Sequence, residues 1–420
     1  MRTTRVLVAL ALLLAVSGAV TRAQTRSRAL VGGTIYTDPA AAPIRDGVVL
    51  IRDERIVAVG ARGAVQVPNG TETIDCTGLF ITAGFWNSHV HFTERKWANA
   101  ARIDAPELAS QLQAMLTRYG FTSVFDTGSM WENTKRIRDR IESGEVAGPR
   151  IRSTGEILEP PGGAPPDLVL DITGAMHVKL PEVGGAADAR AAARALLDAG
   201  VEGIKLYAQT WAPPIVVMPL DAVRAAVDEA HRRGKLAFAH PSNRDGLLNA
   251  VRGGVDVLVH TTPQMGPWND AVVDEMIAAR VTLIPTLKLW RYELRHDRES
   301  IRESFAGVGV GQLRAWRQRN GAVIFGTDVG YMNDYDPGDE YALMADAGMS
   351  SSDILASLTT APAARFGASS RAGRVAPGLD ADLVVLAADP AADVRAFAAV
   401  RHAIRGGRVI YSAPPPLRAR

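Results

Sequence analysis

ITAGFWNSHVHF, residues 81–92, is a short apolar run that ends in the pair His89 and His91. On a strand, residues i and i+2 point to the same side, so both imidazoles can share one cation through their ring nitrogens. An isolated H-x-H is a weak signal, because a structural pair reads the same way. Here the design recurs. Lys205 lies in GIKLY, His240 in AFAHP, His260 in VLVHT and Asp328 in FGTDVG, each at or near the end of an apolar run of strand type. A (β/α)8 barrel carries its chemistry at the C-terminal ends of its strands. The order His-x-His, Lys, His, His, Asp suits a two-metal hydrolytic site there and predicts an enzyme.

Around these residues the chain alternates. Strand-type runs at 81–92, 120–128, 149–157, 201–209, 235–241, 255–262, 281–289 and 322–330 are mostly separated by helical patterns such as APELASQLQAMLTRYG and LDAVRAAVDEAHRRG. Eight such units predict an α/β fold, a (β/α)8 TIM barrel over 81–368. Short apolar runs suit parallel strands buried on both faces. The segment DILASLTTAPAARF, 353–366, is expected to close the barrel as a helix. Residues 24–80 instead read as strands broken by Gly, Pro and Asp turns, and 369–420 return to that character. Both termini are expected to build one small composite β-domain beside the barrel.

Residues 1–23 read as a signal peptide. Arg2 and Arg5 precede the apolar stretch Val6–Val20, short for a membrane span, and Thr21-Arg22-Ala23 offers a small-x-small cleavage site. The expectation is export to a periplasmic or extracellular compartment, with a mature chain starting near Gln24 and no membrane contact after cleavage. An uncleaved anchor is the alternative. Removing 1–23 deletes Arg2, Arg5 and Arg22 and no acid, which moves the formal net charge from +2 to −1. Such balance gives no electrostatic case for nucleic acid or an anionic membrane. Cys76, the only cysteine, cannot form an internal disulfide and reads as a small buried apolar residue.

Each member of the constellation has a structural reading beside a chemical one. Lys205 inside an apolar run is costly as a buried ammonium. Either it is salt-bridged or snorkelling, or it is deprotonated and carboxylated by carbon dioxide, giving a carbamate whose two oxygens bridge two metals. A strand-end histidine is usually a satisfied polar residue. His240 and His260, at successive strand ends after the His89–His91 pair, read together as ligands of a second metal. Asp328 can cap the next helix. Beside a metal-activated water it would be ligand, general base and later general acid. Two divalent ions, zinc being suited to these ligands, would acidify that water and polarise a carbonyl. Manganese, cobalt or iron suit the same set.

On these residues, and on the closing segment LTTAPAARFG…GRVAPGLDADLVVL, the chain resembles the amidohydrolase superfamily, in its binuclear branch with a carboxylated lysine. It is similar to imidazolonepropionase-related and Xaa-Pro dipeptidase-like members. The resemblance spans nearly the whole mature chain. It implies that His89 and His91 hold the first metal, that Lys205 bridges, that His240 and His260 hold the second, and that Asp328 is general base and acid. Two positions depart from the pattern. Asn87 stands where Asp is common, and Ala83 where Pro is common. Neither removes a ligand; Asn87 touches the hydrogen bonding that tunes the metals.

The loops after the strands say less about substrate. EPPGGAPPDLVLDITGAMHVKLPEVGG, 159–185, reads as a lid carrying His177 or as a surface loop. Tyr207, Trp211, Trp268 and Tyr331 are candidate pocket walls, with packing as the alternative for each. Arg95, Lys96 and Lys288 are candidate carboxylate partners that no spacing singles out. The expected partner is a small-molecule substrate cleaved at a C–N bond: an N-acyl amino acid, an Xaa-Pro-type dipeptide or a cyclic amide. An esterase, lactonase or phosphotriesterase would run on the same metals. A non-catalytic exported binding protein is the reading outside enzymology, and retention of all six positions argues against it. A homo-oligomer is compatible with each.

Overall fold

The first and last strands of the described residues lie in the same sheet. A computed structural model describes residues 27–163, 180–210 and 213–414. His177, Trp211 and the leader 1–23 lie outside the described residues. From the N-terminal part come β1 (Ser27–Ile35), β2 (Ile44–Arg52), β3 (Arg55–Ala61), β4 (Glu72–Asp75) and β5 (Phe80–Ala83). The barrel region supplies β6 (Phe85–Val90), β7 (Phe121–Asp126), β8 (Arg150–Ser153), β9 (Ile157–Leu158), β10 (Gly203–Tyr207), β11 (Leu236–His240), β12 (Val257–Val259), β13 (Thr282–Ile284) and β14 (Ala322–Val323). The C-terminal part adds β15 (Leu383–Leu386), β16 (Val400–Arg405) and β17 (Arg408–Ser412).

The terminal sheet has the order β17-β16-β15-β5-β1-β2-β3, with β4 on β1. Leu30, Val49, Ile51, Ile81, Leu383 and Val385 form its core together with Cys76. Burial pushes the Cys76 thiol up to about 12, so it stays protonated and unreactive.

All strand pairs from β6 to β14 are parallel. β8 and β9 are two halves of the third stave, so nine segments make eight staves. The ladder runs β6-β7-β8 and then β9 through β14. Hydrogen bonds span both joints. Glu202 N–H donates to the Ser153 carbonyl at 2.8 Å, and β6 meets the segment after β14 through Ser88 to Phe325 and His91 to Val329, each 2.8 Å. The eight expected strands are all present in a (β/α)8 barrel.

Two local readings change. ITAGFWNSHVHF is two strands, because Phe80–Ala83 pairs with β1 and β15 in the terminal sheet. The crossing is at Gly84, where any Cβ would collide with Thr122. DILASLTTAPAARF is two helices, Ser351–Leu358 and Thr360–Arg365. Pro362 has no N–H for the Leu358 carbonyl, and Thr359 leaves helical geometry at φ −130°, ψ −80°.

Side chains on the barrel strands alternate. Ile204 and Leu206 face the helix layer, which directs Lys205 inward. Below the site, Trp86, Phe125, Phe238, Val257, Ile284 and Phe366 form an apolar plug. That dry floor leaves the polar groups above it solvated from one side at most. Among the described residues no helix is long and apolar enough to cross a membrane.

Candidate metal centre

Four imidazoles stand in a row at the C-terminal mouth of the barrel. Ring centroids are 4.8 Å apart from His91 to His89, 4.8 Å from His89 to His260 and 4.5 Å from His260 to His240. Asp328 faces the row. Its Oδ1 lies 3.0 Å from Nε2 of both His89 and His91, and its Oδ2 lies 3.9 Å from Nε2 of His260. His89, His91 and Asp328 form a buried group that could hold a metal ion. All six residues singled out in the sequence converge here, with Lys205 fully buried beneath them.

The outer nitrogens fix the tautomers. His91 Nδ1 lies 2.8 Å from the Gly128 carbonyl, which can only accept, so Nδ1 carries the proton. Thr286 donates its hydroxyl to the Pro285 carbonyl and accepts from His260 Nδ1 at 2.6 Å. With the one proton of a neutral ring on Nδ1, its Nε2 would present a lone pair to Asp328. Burial holds His89 down to about 3 and His260 and His240 well below the usual imidazole range, with Asp328 offsetting only part of it. Nε2 of His89 and Oδ1 of Asp328 are buried without a hydrogen-bond partner. A single proton can bridge one such pair. A cation placed among these atoms would satisfy all of them, and nitrogen plus carboxylate donors are the set a divalent metal takes.

The backbone is strained around the same atoms. His260 (φ 78°), Thr286 (φ 44°) and Asp328 (φ 66°) all sit in the left-handed region. Each costs about 1–3 kcal/mol and persists only where surrounding structure enforces it, which is typical of functional sites. Gly330 brings the loop after β14 so close to β6 that a Cβ would run into the His91 carbonyl.

Sequence reasoning missed the residues that hold these imidazoles in place. Asp126, fully buried at the end of β7, accepts from Ser129, Ser153 and Thr134 hydroxyls at 2.6, 2.8 and 3.1 Å. That fixes the next loop, which gives the Thr127 hydroxyl to His89 Nδ1 and the Gly128 carbonyl to His91. Asn87 donates from Nδ2 to the Thr327 hydroxyl at 2.7 Å and accepts the Thr327 N–H at 3.2 Å. An ionised aspartate could not make the first of these bonds.

A cavity of about 500 Å³ opens above the centre. Tyr207 lines it with its ring 4.6 Å from that of His240, and Tyr331 lines it while donating to Glu293 at 2.7 Å. Trp290, which sequence reasoning passed over, is a further wall. Trp268 is not on this cavity: it is buried with Nε1 bonded to Thr262 and borders a separate, smaller one. The path of the loop, which no local pattern encodes, turns the ring away. Lys96 is paired with Glu94, and Lys288 with Asp334 at 2.8 Å. Neither they nor Arg95 reach the cavity wall.

Known proteins share this architecture. Ochratoxinase from Aspergillus niger is 23% identical over 412 residues, covering 87% of this chain and 83% of that protein. Its crystal structure superposes with a TM-score of 0.74 at 20% identity, covering 93% and 96% of the two chains. A structure from Bifidobacterium longum, provisionally assigned as a prolidase, gives a TM-score of 0.77 at 26% identity, covering 94% and 96%. A Xaa-Pro dipeptidase with methionine bound in its active site also gives 0.77, at 22% identity, covering 92% and 100%. Residues 80–410, most of the chain, match the sequence profile of the amidohydrolase family. With the family's span and a barrel-mouth centre of this kind in one chain, the protein belongs to the amidohydrolase family and is a hydrolase of carbon–nitrogen bonds.

Proposed function

We propose that the chain is an exported amidohydrolase that cleaves an amide or cyclic amide of a small molecule at a centre of two divalent metal ions. N-acyl amino acids and Xaa-Pro-type dipeptides are the substrates in view; the names of the prolidase and Xaa-Pro dipeptidase relatives support the latter. One observation carries the reading: three imidazole Nε2 atoms converge on one buried carboxylate. His89 and His91, with Asp328, would hold one ion, and His240 and His260 the other. Zinc suits these donors. Divalent ions held there supply Lewis acidity, which acidifies water and polarises a carbonyl.

Lys205 is suited to bridge them. Burial over the apolar plug pushes its ammonium down to about 7, so much of it is neutral near neutral pH. The Nζ lone pair can then form a bond to the carbon of carbon dioxide while a C=O π pair moves to oxygen and Nζ releases one proton. The product is a carbamate anion with two donor oxygens. Asp328 turns Oδ1 to His89 and His91, which leaves Oδ2 to take a proton from the attacking water and return it to the leaving nitrogen. The amine then leaves neutral. The apolar leader at 1–23 supports export.

Metal-loaded protein is expected to hydrolyse members of a panel of N-acyl amino acids and Xaa-Pro dipeptides, and to lose that activity on chelation. Turnover that survives complete chelation would overturn the reading.

A further inference from the structure

The hydrogen bonds of Gln209 and Asn243 settle which way two amides point. Gln209 lies two residues beyond β10, is only 7% exposed and lines the main cavity. Its Oε1 accepts the Asn243 N–H at 2.9 Å. Asn243 caps the helix Arg244–Arg252, its Oδ1 accepting the Gly246 N–H at 2.7 Å. Both carbonyl ends therefore face one turn, and a Cβ on residue 246 would stand 2.9 Å from Gln209 Oε1 and 3.1 Å from Asn243 Oδ1. An NH2 group cannot accept from a backbone N–H, so neither amide can be flipped. Gln209 Nε2 and Asn243 Nδ2 are left with no acceptor among the described residues. Both residues lie on the wall that carries His240, to whose carbonyl the Ala208 N–H donates at 3.0 Å. Through Ser242, Asn243 and Gln264 this wall continues into a second cavity of about 350 Å³.

Two donors in fixed orientation call for an oxygen. Among the described residues lining the main cavity none is Lys or Arg, whereas Glu156 and Glu293 are present. Arg244 borders only the second cavity. No lysine or arginine of these lining residues stands ready to pair with a carboxylate, whereas an uncharged carbonyl needs only N–H donors.

We infer that Gln209 and Asn243 form a paired-donor subsite for an uncharged carbonyl oxygen of the substrate, beyond the bond that is cleaved. This rests on the hydrolase reading above and shifts its substrate class from free N-acyl amino acids and Xaa-Pro dipeptides, whose second carbonyl is a carboxylate, to small molecules with two uncharged carbonyl groups, one cleaved and one held: N-acyl amino amides, diamides or cyclic amides with a second carbonyl.

Two isosteric variants isolate the donors. Gln209→Glu keeps the oxygen that accepts from Asn243 and exchanges only the NH2. Asn243→Asp does the same, and aspartate is as good a helix cap as asparagine. Calorimetry on the metal-loaded full-length chain compares three probes. They are N-acetyl-phenylalanine amide, N-(2-phenylethyl)acetamide, which lacks the second carbonyl, and N-acetyl-phenylalanine, which has a carboxylate in its place. Wild type should bind the amide about tenfold more tightly than either other probe, and each variant should cut that preference to about threefold or less. If Gln209→Glu lowers the unfolding midpoint, the cap-preserving Asn243→Asp variant decides. No binding, no preference in wild type, a preference that survives in Asn243→Asp, or tightest binding of the carboxylate would each overturn the proposal. Binding needs no turnover, so the two readings separate. The preference without any amide hydrolysis would sink the hydrolase reading alone, and hydrolysis without the preference would sink this subsite alone.

Discussion

Nε2 of His91 lies 3.0 Å from Oδ1 of Asp328, while Nδ1 of the same ring is committed to the Gly128 carbonyl at 2.8 Å. A neutral ring in that pose would aim a lone pair at a carboxylate, and Nε2 of His89 stands at the same distance from the same oxygen. A cation placed among these facing nitrogens and oxygens would be held by all of them.

Metal binding should therefore be visible in stability. A ligand present at about 100 times its dissociation constant adds roughly 2.7 kcal/mol to folding. Urea unfolding with and without a chelator should differ by about that much or more. Identical curves would mean that no ion occupies the cluster in solution.

Thr286 sets the tautomer of His260, accepting from Nδ1 at 2.6 Å. Thr286→Val keeps the shape and removes the acceptor, so Nε2 loses its assured lone pair. Metal affinity should weaken by about 10- to 100-fold. Competition with a fluorescent chelator measures this, and an unchanged affinity would show that the threonine does not orient a ligand.

Lys205 makes the metal-free protein pH-sensitive. Its folded value is about 7 against an ordinary 10.5. Below pH 7 both folded and unfolded chains carry the proton, and the full cost of burying an ammonium is present. Between 7 and 10.5 the unfolded chain still holds a proton that the folded chain has released, so stability rises with pH. Unfolding free energies on either side of pH 7 should show that rise in wild type and a smaller one in Lys205→Met. Equal slopes would place Lys205 outside this account.

Asp328→Asn retains size but cannot take a proton from water. On any amide that wild type turns over, kcat should fall by about 10²- to 10⁴-fold with the fold intact by circular dichroism. A drop of less than about tenfold would assign proton handling elsewhere.

The barrel was legible because buried parallel strands must be apolar on both faces, and each of the eight runs stands out on that ground. The six residues of the candidate centre were legible because they interrupt such runs where barrel chemistry sits. The crossing at Gly84 was hidden, since an apolar run looks continuous whether or not it changes sheet. Asp126, Thr127 and Gly128 were hidden because hydroxyls and a carbonyl carry no local signature until β6 and β7 lie side by side. The donor role of Gln209 depends on a hydrogen bond to a residue 34 positions away. Trp268 misled because an aromatic in a loop declares its size and not its direction.

The most direct test of the account is metal content per chain, measured on protein purified in bicarbonate beside its Lys205→Ala variant. The account predicts close to two divalent ions in wild type and a sharp fall in the variant. About one ion in both proteins would contradict it, making Lys205 a structural residue and the centre mononuclear.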